Sequence, residues 1–169
     1  MQATSTLVSV EEYLHSSFED GDREYIDGRL VERNLGEKDH SRTQRELILF
    51  FDALTRSHNT YAFPEQRIQV APARFRVPDI CVYLGGEPEE QVFRTPPFLV
   101  IEILSRDDRA SEMQERIDDY LNFGVPFVWV IDPRLRRGYS HTVEGAREAR
   151  DGVLRTMDPE IVLPLQGLF

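Results

Sequence analysis

Two acidic residues occupy stretches of sequence in which a carboxylate is costly. Glu102 interrupts the apolar run Val100-Ile-Glu-Ile-Leu104, and Asp79 opens the apolar segment before it. Because burying a lone ionised carboxylate costs several kcal/mol, such a group is paired, protonated or bound to a metal. If the two segments pair as strands, the carboxylates can share one magnesium ion, which takes oxygen ligands and keeps waters that a substrate phosphate can replace. From the residues alone, a structural ion pair with an arginine such as Arg76 or Arg116 is an open alternative.

Hydrophobic periodicity predicts the elements that position these two residues. A capping box, Ser9 with Glu12, begins a first helix, and Asp39 is the expected cap of a second. The order of elements predicts a central mixed β-sheet flanked by helices, an α/β (α+β) fold. The predicted helices cover 10–16, 40–57 and 111–123, the strands 63–70, 75–83, 98–104 and 127–131, and the hairpins 24–32 and 139–143 with 153–157.

The length and composition favour a single domain over residues 1–169. The chain is 40% hydrophobic and 30% charged, which supplies one core and a charged surface. Cys81 is the only cysteine, so no intrachain disulfide can form, which suits the cytoplasm. No apolar run approaches the ~20 residues that a membrane helix needs, and the N-terminus lacks the pattern of a secretion signal. We therefore expect a cytoplasmic protein with no membrane partner.

Charge and motif content narrow the class of function. The net charge of −10 argues against a general nucleic-acid coat protein, although an acidic nuclease can still line one groove with basic residues. The densest basic cluster is Arg134, Arg136 and Arg137, which either steers DNA or forms an ordinary solvated loop. One cysteine and four scattered histidines exclude a cysteine-rich zinc module, and no glycine-rich phosphate-binding loop is present.

Several motifs in order along the chain resemble one nuclease family. Pro78-Asp79 followed by Glu102-Ile-Leu104 resembles the core of the PD-(D/E)XK nuclease superfamily. The fuller pattern resembles the Uma-type restriction endonucleases of that superfamily and covers roughly residues 9 to 165. It comprises Tyr25-Ile-Asp-Gly28, His40, Arg76-Val-Pro-Asp-Ile-Cys-Val82, Pro96-Pro-Phe-Leu-Val-Ile-Glu-Ile-Leu-Ser105, Tyr120-Leu-Asn-Phe-Gly-Val125 and Trp129-Val-Ile-Asp-Pro133.

The resemblance implies a restriction-endonuclease-like αβββαβ core and a metal-dependent endonuclease acting on DNA. Asp79, Glu102 and the backbone carbonyl of Ile103 would bind magnesium or manganese, and the metal would activate a water and neutralise charge on the scissile phosphate. Glu24 matches a family acid before the hairpin and would be a further ligand, directly or through water. An exposed glutamate at a strand edge is the alternative for Glu24.

The resemblance fails at one catalytic position. The superfamily lysine two residues after the glutamate is Leu104 here, and the family lysine on the following helix is Arg116. Arginine cannot serve as a general base at accessible pH, although it can clamp a phosphate and stabilise developing charge. Lys38 is the only lysine among twenty basic residues, so the replacement also fits a bias across the whole sequence.

Three further residues are candidates for substrate contact. His40 matches the family histidine that opens the second helix, and Gln44 lies one turn later on the same face. Tyr120 is expected in the core with its hydroxyl directed toward the site. For His40 and Gln44, a packing role is the alternative.

Three functions follow. The first is a metal-dependent DNA endonuclease with Asp79 and Glu102 as ligands and Arg116 as phosphate clamp. The second is a nuclease fold that binds DNA or a protein but has lost its chemistry with the lysine. The third is a structural or partner-binding protein in which the carboxylates only pair with arginines. A homodimer is expected if both strands of a duplex are cut.

Overall fold

The computed structural model describes residues 7–19, 21–34 and 36–169. The helices are α1 (Val10–His15), α2 (Lys38–His58) and α3 (Ala110–Phe123), followed by a final 3₁₀ turn at Leu165–Leu168. The strands are β1 (Arg23–Ile26), β2 (Arg29–Glu32), β3 (Thr60–Pro64), β4 (Ile68–Ala71), β5 (Arg74–Arg76), β6 (Ile80–Leu84), β7 (Leu99–Ile103), β8 (Phe127–Asp132), β9 (Arg137–Thr142), β10 (Gly145–Glu148), β11 (Val153–Arg155) and β12 (Val162–Pro164).

A six-stranded mixed sheet forms the centre of the fold, in the order β10-β9-β8-β7-β6-β3. Only β7 and β8 are parallel, and α3 makes the crossover between them, as a parallel pair requires. The predicted central mixed sheet flanked by helices is therefore confirmed.

The two faces of β7 bury against different helices because alternate residues of a strand point to opposite sides. Ile101 and Ile103 pack in one cluster with Leu47 of α2. Val100 packs in the other with Met113 of α3. Glu102 shares the face of Val100, so its side chain is directed toward α3 and accepts a hydrogen bond from that helix.

A second sheet, in the order β2-β1-β5-β4, brings further residues toward this centre. Its predicted hairpin is confirmed, with β1 and β2 joined by Asp27 and Gly28, whose φ values are 48° and 91°. Positive φ at both central residues is the geometry that favours Asp-Gly in a tight hairpin turn. Glu24 lies in β1 and Arg76 ends β5.

Several predicted element boundaries are wrong. The N-cap of α2 is Glu37, without a side-chain bond, so Asp39 lies in the first helical turn instead of capping it. The region 63–83, predicted as two strands, contains parts of four: the end of β3, the whole of β4 and β5, and most of β6. The chain leaves the strand conformation after β3, where Glu65 adopts a left-handed φ of 50°, and before β6, where Pro78 lacks an amide donor.

The late part of the chain pairs differently from the prediction. The strand β9 pairs with β10, and β11 pairs with β12, so 139–143 and 153–157 do not form one hairpin. The capping box of α1 is confirmed, with both Ser9–Glu12 bonds present. Within the described ranges, none of the helices combines the length and apolar character needed to cross a bilayer.

Candidate active site

The pairing of β6 with β7 brings Asp79 and Glu102 to one edge of the central sheet. The two strands are antiparallel, with Ile80 opposite Ile101, so Asp79 lies immediately before β6 at the level of Glu102. The amide of Ile103 donates to Asp79 Oδ2 over 2.7 Å. Asp79 and Glu102 are only 5% and 1% exposed, so both carboxylates are desolvated and must be compensated.

Each carboxylate has one oxygen held by an uncharged donor and the other directed toward positive charge. For Asp79, Oδ2 accepts from the Ile103 amide, while Oδ1 lies 2.9 Å from Arg33 Nη2 and 3.2 Å from His40 Nε2. For Glu102, Oε1 accepts from the hydroxyl of Tyr120 over 2.7 Å. Its other oxygen, Oε2, lies 3.4 Å from Nη1 of Arg116 on α3. Of the two arginines considered as ion-pair partners, Arg116 contacts Glu102, whereas Arg76 pairs with Glu24 and the partner of Asp79 is Arg33.

Glu24 is buried beside the same cluster, which excludes an exposed glutamate at a strand edge. Its side chain is 0% exposed, and Oε1 accepts from the amide of Val77 over 3.1 Å. Its Oε2 lies 2.8 Å from Arg76 Nη1 and 3.5 Å from Arg116 Nη2. Arg116 is thus held between Glu24 and Glu102. Arg76 continues the chain of contacts to Asp119 of α3, 2.6 Å from its Nη2.

Burial and charge shift the acidities of the two carboxyls in opposite directions. Burial raises the pKa of Glu102 to about 7; the nearby Arg116 opposes this, and the negative charges of Asp79 and Glu24 add to it. Burial would also raise the pKa of Asp79, but the hydrogen bond and charge of His40 and the charge of Arg33 lower it below its ordinary value. Although burial opposes it, the bond to Asp79 raises the pKa of His40. Asp79 is therefore an anion at neutral pH, whereas Glu102 gains or loses its proton near neutral pH, and a bound cation would favour the deprotonated form.

A small polar cavity opens between the Asp79 carboxylate and the surrounding cations. Its volume is about 20 Å³, and it is lined by Asp79, Ile103, Arg33, His40, Ser105 and Arg116, together with Asn34 and Asp108. A cavity of this size holds about one water-sized group. Ser105 Oγ is buried and has no hydrogen-bond partner among the described residues. A much larger groove of about 650 Å³, between the β9–β10 hairpin and β11, contains none of the predicted site residues.

The donor atoms at the cavity suit a hard divalent cation. Asp79 and Ile103 line the cavity. Glu102 is not part of the lining but adjoins it through Arg116, which lines the cavity and lies 3.4 Å from Glu102 Oε2. Within residues 7–19, 21–34 and 36–169, no group of three or more histidine, cysteine or acidic side chains is placed to hold a metal ion. Magnesium can bind through one or two carboxylates with waters completing its shell, so the pair fits this ion.

The predicted substrate residues lie around the two carboxylates, although they make different contacts. His40 lines the cavity. Gln44 Nε2 donates to the backbone carbonyl of Asp79 over 3.0 Å, and the Tyr120 hydroxyl is engaged with Glu102. Sequence reasoning missed Arg33, which follows β2 and meets Asp79 across 46 positions of sequence. Nothing local distinguishes Arg33 from the other arginines of the chain.

Comparisons with known proteins agree with this fold. A sequence profile of the Uma2 family, described as "Putative restriction endonuclease", matches residues 10–166. The chain is similar in structure to "a putative nuclease belonging to DUF820" from Anabaena variabilis ATCC 29413, with a TM-score of 0.81 and 23% sequence identity. The similarity covers 96% of this chain and 97% of that chain. No match is found among curated proteins.

Proposed function

Since this chain belongs to the Uma2 restriction endonuclease family, we propose that it is a metal-dependent endonuclease that hydrolyses phosphodiester bonds in DNA. In this proposal Asp79, Glu102 and the carbonyl of Ile103 hold Mg²⁺ or Mn²⁺. The cation supplies Lewis-acid activation of a water and neutralisation of charge on the scissile phosphate.

The observation that carries the proposal is the anchoring of the two carboxylates. One oxygen of each is held by a neutral donor, the Ile103 amide for Asp79 and the Tyr120 hydroxyl for Glu102. The remaining oxygens face cationic side chains. Donors that orient a ligand in this way are typical of metal sites, where they fix ligand geometry in advance.

The surrounding cations are suited to receive the phosphate. Arg116 lines the cavity and contacts Glu102 and Glu24 only at 3.4 and 3.5 Å, so its planar guanidinium can turn to a phosphate oxygen. We assign Glu24 to positioning Arg116, because both of its oxygens are taken up by Val77, Arg76 and Arg116. Arg33 and His40 line the same cavity and are the further groups that would contact the phosphate.

No lysine of the superfamily type takes part in this proposal. Leu104 occupies the strand position, and Arg116 stays protonated, since the pair of carboxylates beside it raises its pKa further although burial opposes this. The role of Arg116 is therefore electrostatic stabilisation of the phosphate rather than removal of a proton. Slow turnover compared with lysine-bearing relatives is the expected consequence.

Cleavage of supercoiled plasmid tests the proposal. Purified protein with Mg²⁺ or Mn²⁺ should nick the plasmid, and Asp79→Asn and Glu102→Gln, which keep the size of each side chain, should abolish nicking. Asp151→Asn, at an exposed acid paired with Arg155, is the matched control and should retain full activity.

Two other outcomes have defined meanings. If the wild-type protein is inert and Arg116→Lys gains activity, the site is intact but disabled at one position, as the alternative of a nuclease fold without chemistry requires. If every variant is inert and calorimetry detects no metal binding, the carboxylates are structural and the proposed function is wrong. Linearisation of the plasmid without a nicked intermediate would support a two-fold dimer, which sedimentation can check.

A further inference from the structure

A turn with three arginines and an exposed leucine joins β8 to β9. The basic turn is defined here as Arg134, Leu135, Arg136 and Arg137, the last of which is the first residue of β9; the four are consecutive and all exposed. Leu135 is 61% exposed and lies between Arg134 and Arg136. In a chain with a net charge of −10, this turn concentrates positive charge on one surface.

The basic turn projects from the sheet edge that carries Asp79 and Glu102. The parallel strands β7 and β8 end at the same edge, with Ile103 opposite Ile131. The amide of Leu104 donates to the carbonyl of Ile131 over 2.8 Å, which keeps the two strand ends together. Because adjacent strands lie about 4.8 Å apart, the turn lies next to the strand that supplies Glu102.

The turn is held in shape independently of any ligand. Asp132 is buried, and its Oδ1 accepts from the amides of Arg134 and Leu135 over 2.9 and 3.0 Å. Arg136 adopts a left-handed φ of 54°, which reverses the chain into β9. Arg134 Nε lies 3.9 Å from Asp132, and Arg137, which bonds to Tyr139, has its Nε 3.7 Å from Glu148. A preformed turn reduces the ordering cost of binding.

The turn at the opposite end of β9 provides a comparison within the same chain. There Val143 is 85% exposed and is followed by Glu144. The six residues of β9 separate the two turns by about 20 Å. Both turns expose one apolar residue, but only the turn beside the carboxylates surrounds it with positive charge.

We propose that the basic turn is a duplex-DNA contact surface, with the three arginines on backbone phosphates and Leu135 in apolar contact within the groove. The proposal rests on the proposed function for its substrate. It adds that binding is driven by a fixed element outside the metal site. Phosphate contacts of this kind position a duplex and carry no sequence preference, so the turn aligns the backbone with Asp79 and Glu102.

The test is the salt dependence of DNA binding. A fluorescein-labelled 20-base-pair duplex is titrated with the full chain in EDTA, which prevents cleavage, at several salt concentrations. Each lost phosphate contact reduces the magnitude of the slope of log K against log salt by about 0.9. Replacing all three arginines by alanine should therefore make the slope shallower by roughly 2 to 3. Replacing all three by lysine should restore most of the slope, since the charge is kept.

Leu135→Ala and two controls sharpen the test. Leu135→Ala should weaken binding several-fold without changing the slope. Val143→Ala should change neither quantity. Arg56→Ala should change neither, because this residue in the last turn of α2 lies about 24 Å along the helix from His40.

The outcomes separate this inference from the proposed function. If the wild-type protein cleaves plasmid but the triple-alanine variant binds duplex with an unchanged slope and affinity, the basic turn is not a DNA surface and only this inference is overturned. If the wild-type protein neither binds duplex nor cleaves plasmid, both are overturned. Thermal unfolding of the triple variant should match that of the wild type, because the replaced side chains are exposed.

Discussion

Replacing Arg33 by glutamine should tighten the binding of a divalent metal in the absence of DNA. Arg33 Nη2 lies 2.9 Å from Asp79 Oδ1, and the two side chains are 15% and 7% exposed. The guanidinium thus occupies the space beside Oδ1 that a metal bound to Asp79 would also occupy. Removing it leaves His40 and the Ile103 amide on Asp79, so the carboxylate stays oriented while its negative charge is less compensated.

The size of the effect follows from the geometry. The Arg33 guanidinium and the Asp79 carboxylate, taken as unit charges about 4 Å apart, attract each other by about 4 kcal/mol at an effective dielectric of 20. This energy is an upper bound on the effect, because Arg33 can turn toward solvent when a metal arrives. We expect the free energy of metal binding to become more favourable by about 1.4 to 2.8 kcal/mol in Arg33→Gln, which corresponds to 10- to 100-fold tighter binding. Arg45→Gln, at an exposed arginine paired with Glu46, is the matched control and should leave the affinity unchanged.

Isothermal titration of Mn²⁺ into metal-free protein at fixed ionic strength measures this affinity directly. Circular dichroism checks that the variant is folded. An affinity that falls in Arg33→Gln would refute the reasoning, because it would mean that Arg33 orients Asp79 for the metal instead of competing with it. Asp79→Asn should abolish binding, which verifies that the measured site is this one.

Two predictions concern Glu102 and its partner on α3. Because burial raises the pKa of Glu102 to about 7 in the folded protein, well above an ordinary glutamate near 4.3, its contribution to stability is fully present below about pH 4 and is lost as pH rises through 7. In urea unfolding of the metal-free wild type, the free energy of unfolding should therefore fall by about 1 to 3 kcal/mol between pH 5 and 8. Glu102→Gln should abolish that fall, and an unchanged pH dependence in the variant would contradict the assignment. Tyr120→Phe removes the hydroxyl that donates to Glu102 Oε1 and should weaken Mn²⁺ binding by about 10-fold with little change in fold, as calorimetry with circular dichroism can test.

The parts of the fold that depend on local pattern were predictable. The apolar run around Glu102 indicates a strand buried on both faces, and the stripe of α3 indicates the helix that covers one of them. The turn at Asp27-Gly28 specifies its own hairpin, because the required backbone angles select those residue types. In each case the determining residues are neighbours in sequence.

The parts that depend on tertiary contact were not predictable. The strand β12 is a three-residue element, too short for a pattern, and its pairing with β11 is decided by burial of Leu154 and Leu163 in the core. Glu24 looks like a surface glutamate until Arg76, 52 residues later, meets it across the second sheet. Arg33 likewise acquires a role only from the return of the chain at Asp79.

The arrangement of charge explains how an acidic protein can be proposed to act on DNA. Three buried carboxylates, Glu24, Asp79 and Glu102, each lie against a guanidinium group, that of Arg76, Arg33 and Arg116 respectively. A divalent cation adds two positive charges to this cluster, and an anionic phosphodiester is the natural compensation. Metal and phosphate should therefore bind more tightly together than separately, and linkage requires each to favour the other equally. The net charge of −10 then describes the rest of the surface and does not govern the edge at which the substrate is proposed to bind.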